Sequence, residues 1–244
     1  MKTWTPNLLQ IELCLTYRCN VLCNNCSNLC TQAPCPYGDL PVEKVNEFFA
    51  QSVSCKHPWK KITLHGGEPI LHKDIETICG MAAIYKDKHN PTVIISLLSN
   101  GCCDKTLERL DDLKERYHVE LGISEKVRSN RRGDGTPIPY IPVNESPEDI
   151  GIEHDNGCFQ TSECGICLNY LGYFECSPAA AAARVFGYKP LKSTVEGLSI
   201  AAMQKGFKEH CKHCGFSAPN RPRVIAQSST KTWEKALEKY KCRT

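Results

Sequence analysis

Residues 13–30 read LCLTYRCNVLCNNCSNLC and hold five cysteines in eighteen positions. The apolar run that leads into them begins at Leu8 and ends at Leu15, bounded by Pro6 and the cysteines, and reads as a buried strand. The cysteines then fall on the loop at that strand's carboxyl end. Whether those thiols form a disulfide staple or hold a metal decides what kind of molecule this is.

The rest of the chain narrows the choice. Its 244 residues suffice for one large α/β domain, or for a smaller domain with an appendage. The opening MKTWTPNLLQIELCL lacks a basic-then-apolar signal pattern. The longest apolar runs, such as Val93–Ile95 with Leu97–Leu98, fall far short of a membrane span. A cytoplasmic setting with no membrane contact is therefore expected. Seventeen cysteines in a reducing compartment argue for metal or redox chemistry over disulfides. The net charge of +3 leaves no broad footprint for nucleic acid. The Arg131–Arg132 pair and the RGD triplet at Arg132–Asp134 lie in a Gly/Pro loop and read as solvated loop.

Strand and helix signals alternate. A helix is expected from Pro41, where proline suits the first turn and Val42, Val45, Phe48 and Phe49 share a face. Lys61–Leu64 is a short strand that stops at Gly66–Gly67. Helices follow at Asp74–Tyr85 and Asp104–Tyr117, and strands at Thr92–Ser99 and Val119–Ser124. This βαβαβαβ order implies parallel strands with right-handed crossovers. Arg128–Asn156 is mostly loop. A second region, 157–244, has its own cysteines and expected helices near Val195–Phe207 and Trp233–Tyr240. Ala179–Ala183 is the one low-complexity tract.

Cys19, Cys23 and Cys26 are spaced C-x3-C-x2-C directly after the first strand. Loops at the carboxyl ends of parallel strands are where active sites are built. Three thiolates on one short loop can hold three corners of a 4Fe–4S cluster and leave its fourth iron open. Zinc competes, but it usually closes four positions with paired Cys or Cys/His sets. The motif resembles the signature of the radical S-adenosylmethionine (radical SAM) superfamily. The family usually has an aromatic residue just before the third cysteine, and here Asn25 stands there.

Further matches follow in order on successive strand ends. LHGGEP at Leu64–Pro69 resembles the family's GGE motif, which implies that Gly66, Gly67 and Glu68 bind the methionine amino group of SAM. Ser99 and Asn100 resemble its ribose-contacting Thr/Ser-Asn-Gly, and Ser124 a polar group it often places on SAM. Together these imply a partial parallel (β/α)6-type barrel over residues 1–156. They also imply a SAM-binding 4Fe–4S cluster and reductive cleavage of SAM to a 5′-deoxyadenosyl radical that abstracts hydrogen. An external electron donor such as flavodoxin or ferredoxin would supply the electron.

The second region resembles the start of the twitch or SPASM appendages of the same superfamily. The resemblance implies a hairpin at Gly172 and an auxiliary 4Fe–4S cluster on Cys176, Cys211 and Cys214. Cys158 or Cys164 completes the set, with Cys167 a further candidate. Gly172 to Cys176 is one residue shorter than the common spacing. Two CxxC pairs, Cys164/Cys167 and Cys211/Cys214, leave a zinc ribbon open as the competing reading. Cys14 and Cys79 fit buried apolar positions. Cys30, Cys35 and Cys102 are candidate hydrogen-atom donors, although plain packing suits them better. His65 reads as structural or as facing substrate.

The expected function is a radical SAM enzyme acting on a small polar metabolite: a sugar, nucleotide or amino-acid derivative. A fully ligated auxiliary cluster would favour net oxidation, as in the aminocyclitol dehydrogenase of antibiotic biosynthesis. A maturase or epimerase of a ribosomally made peptide is the alternative. Only about seven residues precede the first strand, too few for a leader-binding domain. A non-catalytic iron–sulfur or zinc electron-transfer protein is the third reading. Intact GGEP and SNG motifs argue against it.

Overall fold

The computed structural model describes residues 2–124, 131 and 134–241. Strands β1 (Gln10–Cys14), β2 (Lys61–His65), β3 (Ile94–Ser99) and β4 (Glu120–Ile123) are joined by helices α1 (Val42–Ser54), α2 (Ile75–His89) and α3 (Asp104–Tyr117). Strands β5 (Ile166–Asn169) and β6 (Gly172–Phe174) follow. Helices α4 (Ser177–Phe186), α5 (Ile200–His210) and α6 (Lys231–Lys241) complete the chain. The six strands form one sheet in the order β4-β3-β2-β1-β5-β6.

A row of leucines fixes the register. Leu13 is opposite Leu64 on β2 and Leu168 on β5, Leu64 is opposite Leu97, and Leu97 is opposite Leu121. Leu13, Leu64, Leu97 and Leu168 are buried, each contributing about 1.5–3 kcal/mol of apolar burial. A one-residue slip would turn each leucine to the opposite face. The locked register brings the ends of β1, β2, β3 and β4 to one edge of the sheet. The loops that follow those ends carry the cysteine motif, GGE, SNG and Ser124.

Two parts of the fold depart from expectation. The sheet has six strands, but only five are parallel: β6 turns back antiparallel on β5. The connection from β4 to β5 holds no α-helix among the described residues. From the 157–244 region, β5 pairs in parallel with β1 in the main sheet. The Ala179–Ala183 tract is the middle of α4. Pro178 suits its first turn, and the methyl side chains let it pack closely into a core with Cys14, Cys167, Phe174 and Trp233.

Candidate functional site

The chain leaves β1 at Cys14 and is pinned before it reaches the first motif cysteine. Thr16 Oγ1 donates to Asp39 at 2.6 Å, and the Arg18 guanidinium pairs with the same carboxylate at 2.6 Å. The loop after β2 lies against this segment. Gly67 N–H donates to Thr16 O at 2.8 Å and Glu68 N–H to Arg18 O at 2.9 Å. A Cβ on Gly66 would sit 2.5 Å from Thr16 O, and one on Gly67 2.3 Å from Arg18 O. Only glycine permits that approach. With those amides engaged, a cationic ligand at this turn would meet carbonyl oxygens.

One cavity is lined by Cys19, Cys23 and Cys26 together with Gly66, Gly67, Ser99, Asn100 and Ser124. Four strand ends thus converge on a single space. Asn28 Nδ2 donates to Gly66 O at 2.8 Å and braces the cysteine loop against the diglycine. Asn100 Nδ2 donates to Asn20 Oδ1 at 2.8 Å. Ser124 Oγ donates to the Ser99 carbonyl at 3.1 Å. Burial, helped by the Cys26, Cys23 and Glu68 charges and opposed by the Val21 N–H, raises the Cys19 thiol to about 11.

Glu68 is the exception among the sequence candidates. It is completely buried behind the cavity wall. Its carboxylate accepts from Ser99 Oγ at 2.9 Å and from Asn100 N–H at 2.9 Å. It therefore holds the SNG turn and does not line the cavity.

The substitution of asparagine for an aromatic residue at position 25 has a local reason. Asn25 has φ of 52°, a left-handed conformation that Asn tolerates far better than bulky side chains. Its side chain donates to Ala226 O at 2.8 Å and accepts from Ser228 N at 2.9 Å. The 226–228 segment is thereby fastened over the cysteine loop.

Sequence reasoning missed Tyr140, Asn28, Ser27, Val21 and Leu98, which also line the cavity. Tyr140 comes from the long loop and exchanges backbone hydrogen bonds with Val224 at 2.9 and 2.7 Å; no motif marked it. Asn28 had a signal, since it lies inside the cysteine stretch. His65 lines the cavity too. Burial lowers its pKa to about 4, so it is neutral near pH 7.

A second, smaller cavity gathers Cys158, Cys176, Cys211 and Cys214. Cys164 and Cys167 do not line it. Cys167 is fully buried on β5, within the core that holds Cys14. The two CxxC pairs of a zinc ribbon are thus not brought together. Among the described residues, no three His, Cys, Asp or Glu side chains are grouped to hold a single metal ion. Burial raises all four thiols, with the neighbouring Glu175 charge adding to it, and Cys158 reaches about 11. Glu175 Oε1 and His210 Nδ1 are 2.7 Å apart, tying the residue before Cys176 to the residue before Cys211.

Helix α4 joins the two cavities. It starts beside Cys176, and Ser177 Oγ lies 3.5 Å from His65 Nε2 in the first cavity. Arg184, buried on the same helix, donates to Ala33 O at 2.7 Å and Asn28 O at 2.8 Å. Its guanidinium lies 3.6 Å from the centre of the Tyr17 ring. The donor chemistry suits the implied groups: three thiols line the first cavity beside polar side chains, and four line the second.

Residues 13–136 match the radical SAM superfamily. The chain belongs to that superfamily. Membership makes it an enzyme and implies a 4Fe–4S cluster and SAM. No curated protein sequence matches the chain. Among solved structures, BtrN in complex with AdoMet and 2-DOIA is similar at a TM-score of 0.52 and 16% identity, covering 94% of this chain and 98% of BtrN. SeMet BtrN in an open conformation aligns at a TM-score of 0.45 and 17% identity, covering 96% of this chain and 99% of that one. The first likeness shows a shared fold. No helix among the described residues is long and apolar enough to cross a membrane.

Proposed function

We propose that this radical SAM enzyme oxidises a small polar metabolite by two electrons, using an auxiliary cluster as the first electron acceptor. The convergence of Cys19, Cys23 and Cys26 with Gly66, Ser99, Asn100 and Ser124 in one cavity carries the reading. The three thiolates would hold the SAM-binding 4Fe–4S cluster. Gly66 and Gly67 carbonyls would receive the methionine ammonium, and Ser99, Asn100 and Ser124 offer polar groups to the nucleoside. Cluster and SAM together supply reductive SAM cleavage and, through it, hydrogen-atom abstraction from an unactivated C–H bond.

The rest of the work falls to the chain. Arg184 and Asn28 hold the cysteine loop, while Tyr140 closes part of the cavity wall and helps exclude water. Cys158, Cys176, Cys211 and Cys214 would hold the auxiliary cluster, and four thiolates leave it no open iron. Such a cluster serves electron transfer, which favours oxidation over a redox-neutral outcome. BtrN, seen in complex with AdoMet and 2-DOIA, supports a fold able to accommodate both molecules.

The test is anaerobic reconstitution with candidate sugars, nucleotides and amino-acid derivatives, each deuterated at carbon. Deuterium in 5′-deoxyadenosine together with a product two mass units lighter than its protiated substrate supports the reading. Deuterium transfer with a product of unchanged oxidation level overturns the oxidation.

A further inference from the structure

Beside the auxiliary cysteines the surface opens into a broad groove lined by Lys189, Lys192, Lys205 and Lys212, with Glu209 its one acidic residue. All four lysines are exposed. Lys205 lies 3.7 Å from Glu209. Lys189, Lys192 and Lys212 have no carboxylate within salt-bridge distance among the described residues. A chain whose net charge is only +3 thus concentrates unpaired cations on one face. The SAM cavity lies elsewhere and shares no lining residue with this groove.

The groove and the auxiliary cavity share a wall. His210 and His213 line both. Tyr188, also in the groove, stacks on His210 with ring centres 4.2 Å apart, and its hydroxyl bonds His213 Nδ1. Phe186 stacks on His213 at 4.6 Å and on Tyr188 at 5.3 Å. A layer of stacked aromatic rings thus lies between the four auxiliary thiols and a basic surface.

We propose that this lysine-lined groove is the docking surface for an acidic one-electron carrier protein of the ferredoxin or flavodoxin type. The proposal rests on the oxidative reading above, in which the auxiliary cluster is left reduced by one electron after each turnover. That electron must leave: the cluster returns to its oxidised state and the carrier is reduced by one electron, with no bond made or broken. Clustered lysines attract an acidic partner over long range and set its orientation, so charge acts first on association and specificity. The thin ring layer keeps donor and acceptor close once the partner is seated.

The test uses the fully reconstituted protein and an acidic ferredoxin, with affinity measured by calorimetry at low ionic strength. Lys189→Glu/Lys192→Glu/Lys212→Glu is compared with Lys60→Glu/Lys88→Glu/Lys114→Glu, a reversal of equal size at exposed lysines elsewhere. The groove variant should bind the ferredoxin roughly tenfold or more weakly, with a flattened salt dependence. The control should stay within about threefold of wild type by the same reasoning. SAM cleavage driven by dithionite should be equal in all three proteins. Equal ferredoxin affinity in groove variant and wild type overturns the docking site. So does loss of inorganic pyrophosphate binding with ferredoxin affinity intact, which would make the groove a small-anion pocket. Iron analysis of the wild type separates the two ideas. About eight irons with unchanged affinity overturn only the docking site, whereas about four overturn the auxiliary cluster itself.

Discussion

The hydroxyl of Ser177 donates to Asn28 Oδ1 at 2.9 Å, and that bond links the two cysteine regions. Ser177 follows Cys176, Asn28 follows Cys26 by two residues, and Asn28 in turn donates to Gly66 O. Asn28→Ala removes both links and leaves buried partners unsatisfied, a cost of about 1–3 kcal/mol. SAM affinity should fall roughly fivefold to hundredfold with iron content unchanged. Calorimetric titration and iron analysis of the same sample check this. An unaltered dissociation constant would mean that the brace does not shape the SAM cavity.

Glu68 gives a sharper contrast. If it holds the SNG turn, Glu68→Ala removes charge-assisted hydrogen bonds worth about 1.5–3 kcal/mol each. The melting temperature should then drop by several degrees, at roughly 2–4 °C per kcal/mol for a chain of this size. SAM binding should weaken as a consequence. A variant with wild-type melting and weakened SAM binding would instead assign Glu68 to the ligand.

Glu12 sets a pH dependence. It is central on β1, and burial raises its carboxyl to about 7, with Lys61 lowering it in part. The folded state therefore holds a proton between about 4.5 and 7 that the unfolded chain has released. Its contribution to stability is greatest at low pH and is lost as pH rises through 7. Glu12→Gln should melt closer to wild type at pH 5.5 and above it at pH 8. Scanning calorimetry at both values decides it, and a difference independent of pH would remove Glu12 from the account.

The auxiliary ligands can be told apart one by one. Cys158→Ala should lower iron from about eight per chain toward about four, whereas Cys164→Ala and Cys167→Ala should keep about eight. Iron and acid-labile sulfide report this directly. Loss of iron in the Cys164 variant, with Cys158 dispensable, would reverse the assignment.

The legible parts of the sequence were those governed by local pattern. β-Branched and leucine-rich runs gave β1 to β4, and helix α3 was read to its end residues. The glycines after β2 signalled a close approach. What stayed hidden depends on contacts distant in sequence. Residues Ile166–Asn169 look like part of a cysteine-rich tail, and only their pairing with β1 makes them a sheet strand. That Cys158, and not Cys164, shares a cavity with Cys176, Cys211 and Cys214 was hidden too, because spacing allows either. The contacts of Glu68 were hidden because its partners Ser99 and Asn100 lie about 30 residues on.

The central claim is that Cys19, Cys23 and Cys26 carry the radical chemistry separately from the auxiliary thiols. The direct measurement is methionine and 5′-deoxyadenosine release under dithionite from Cys19→Ala/Cys23→Ala/Cys26→Ala, with iron counted in the same preparation. No release and about four remaining irons, held by the second cavity, are expected. Release at the wild-type rate would contradict it.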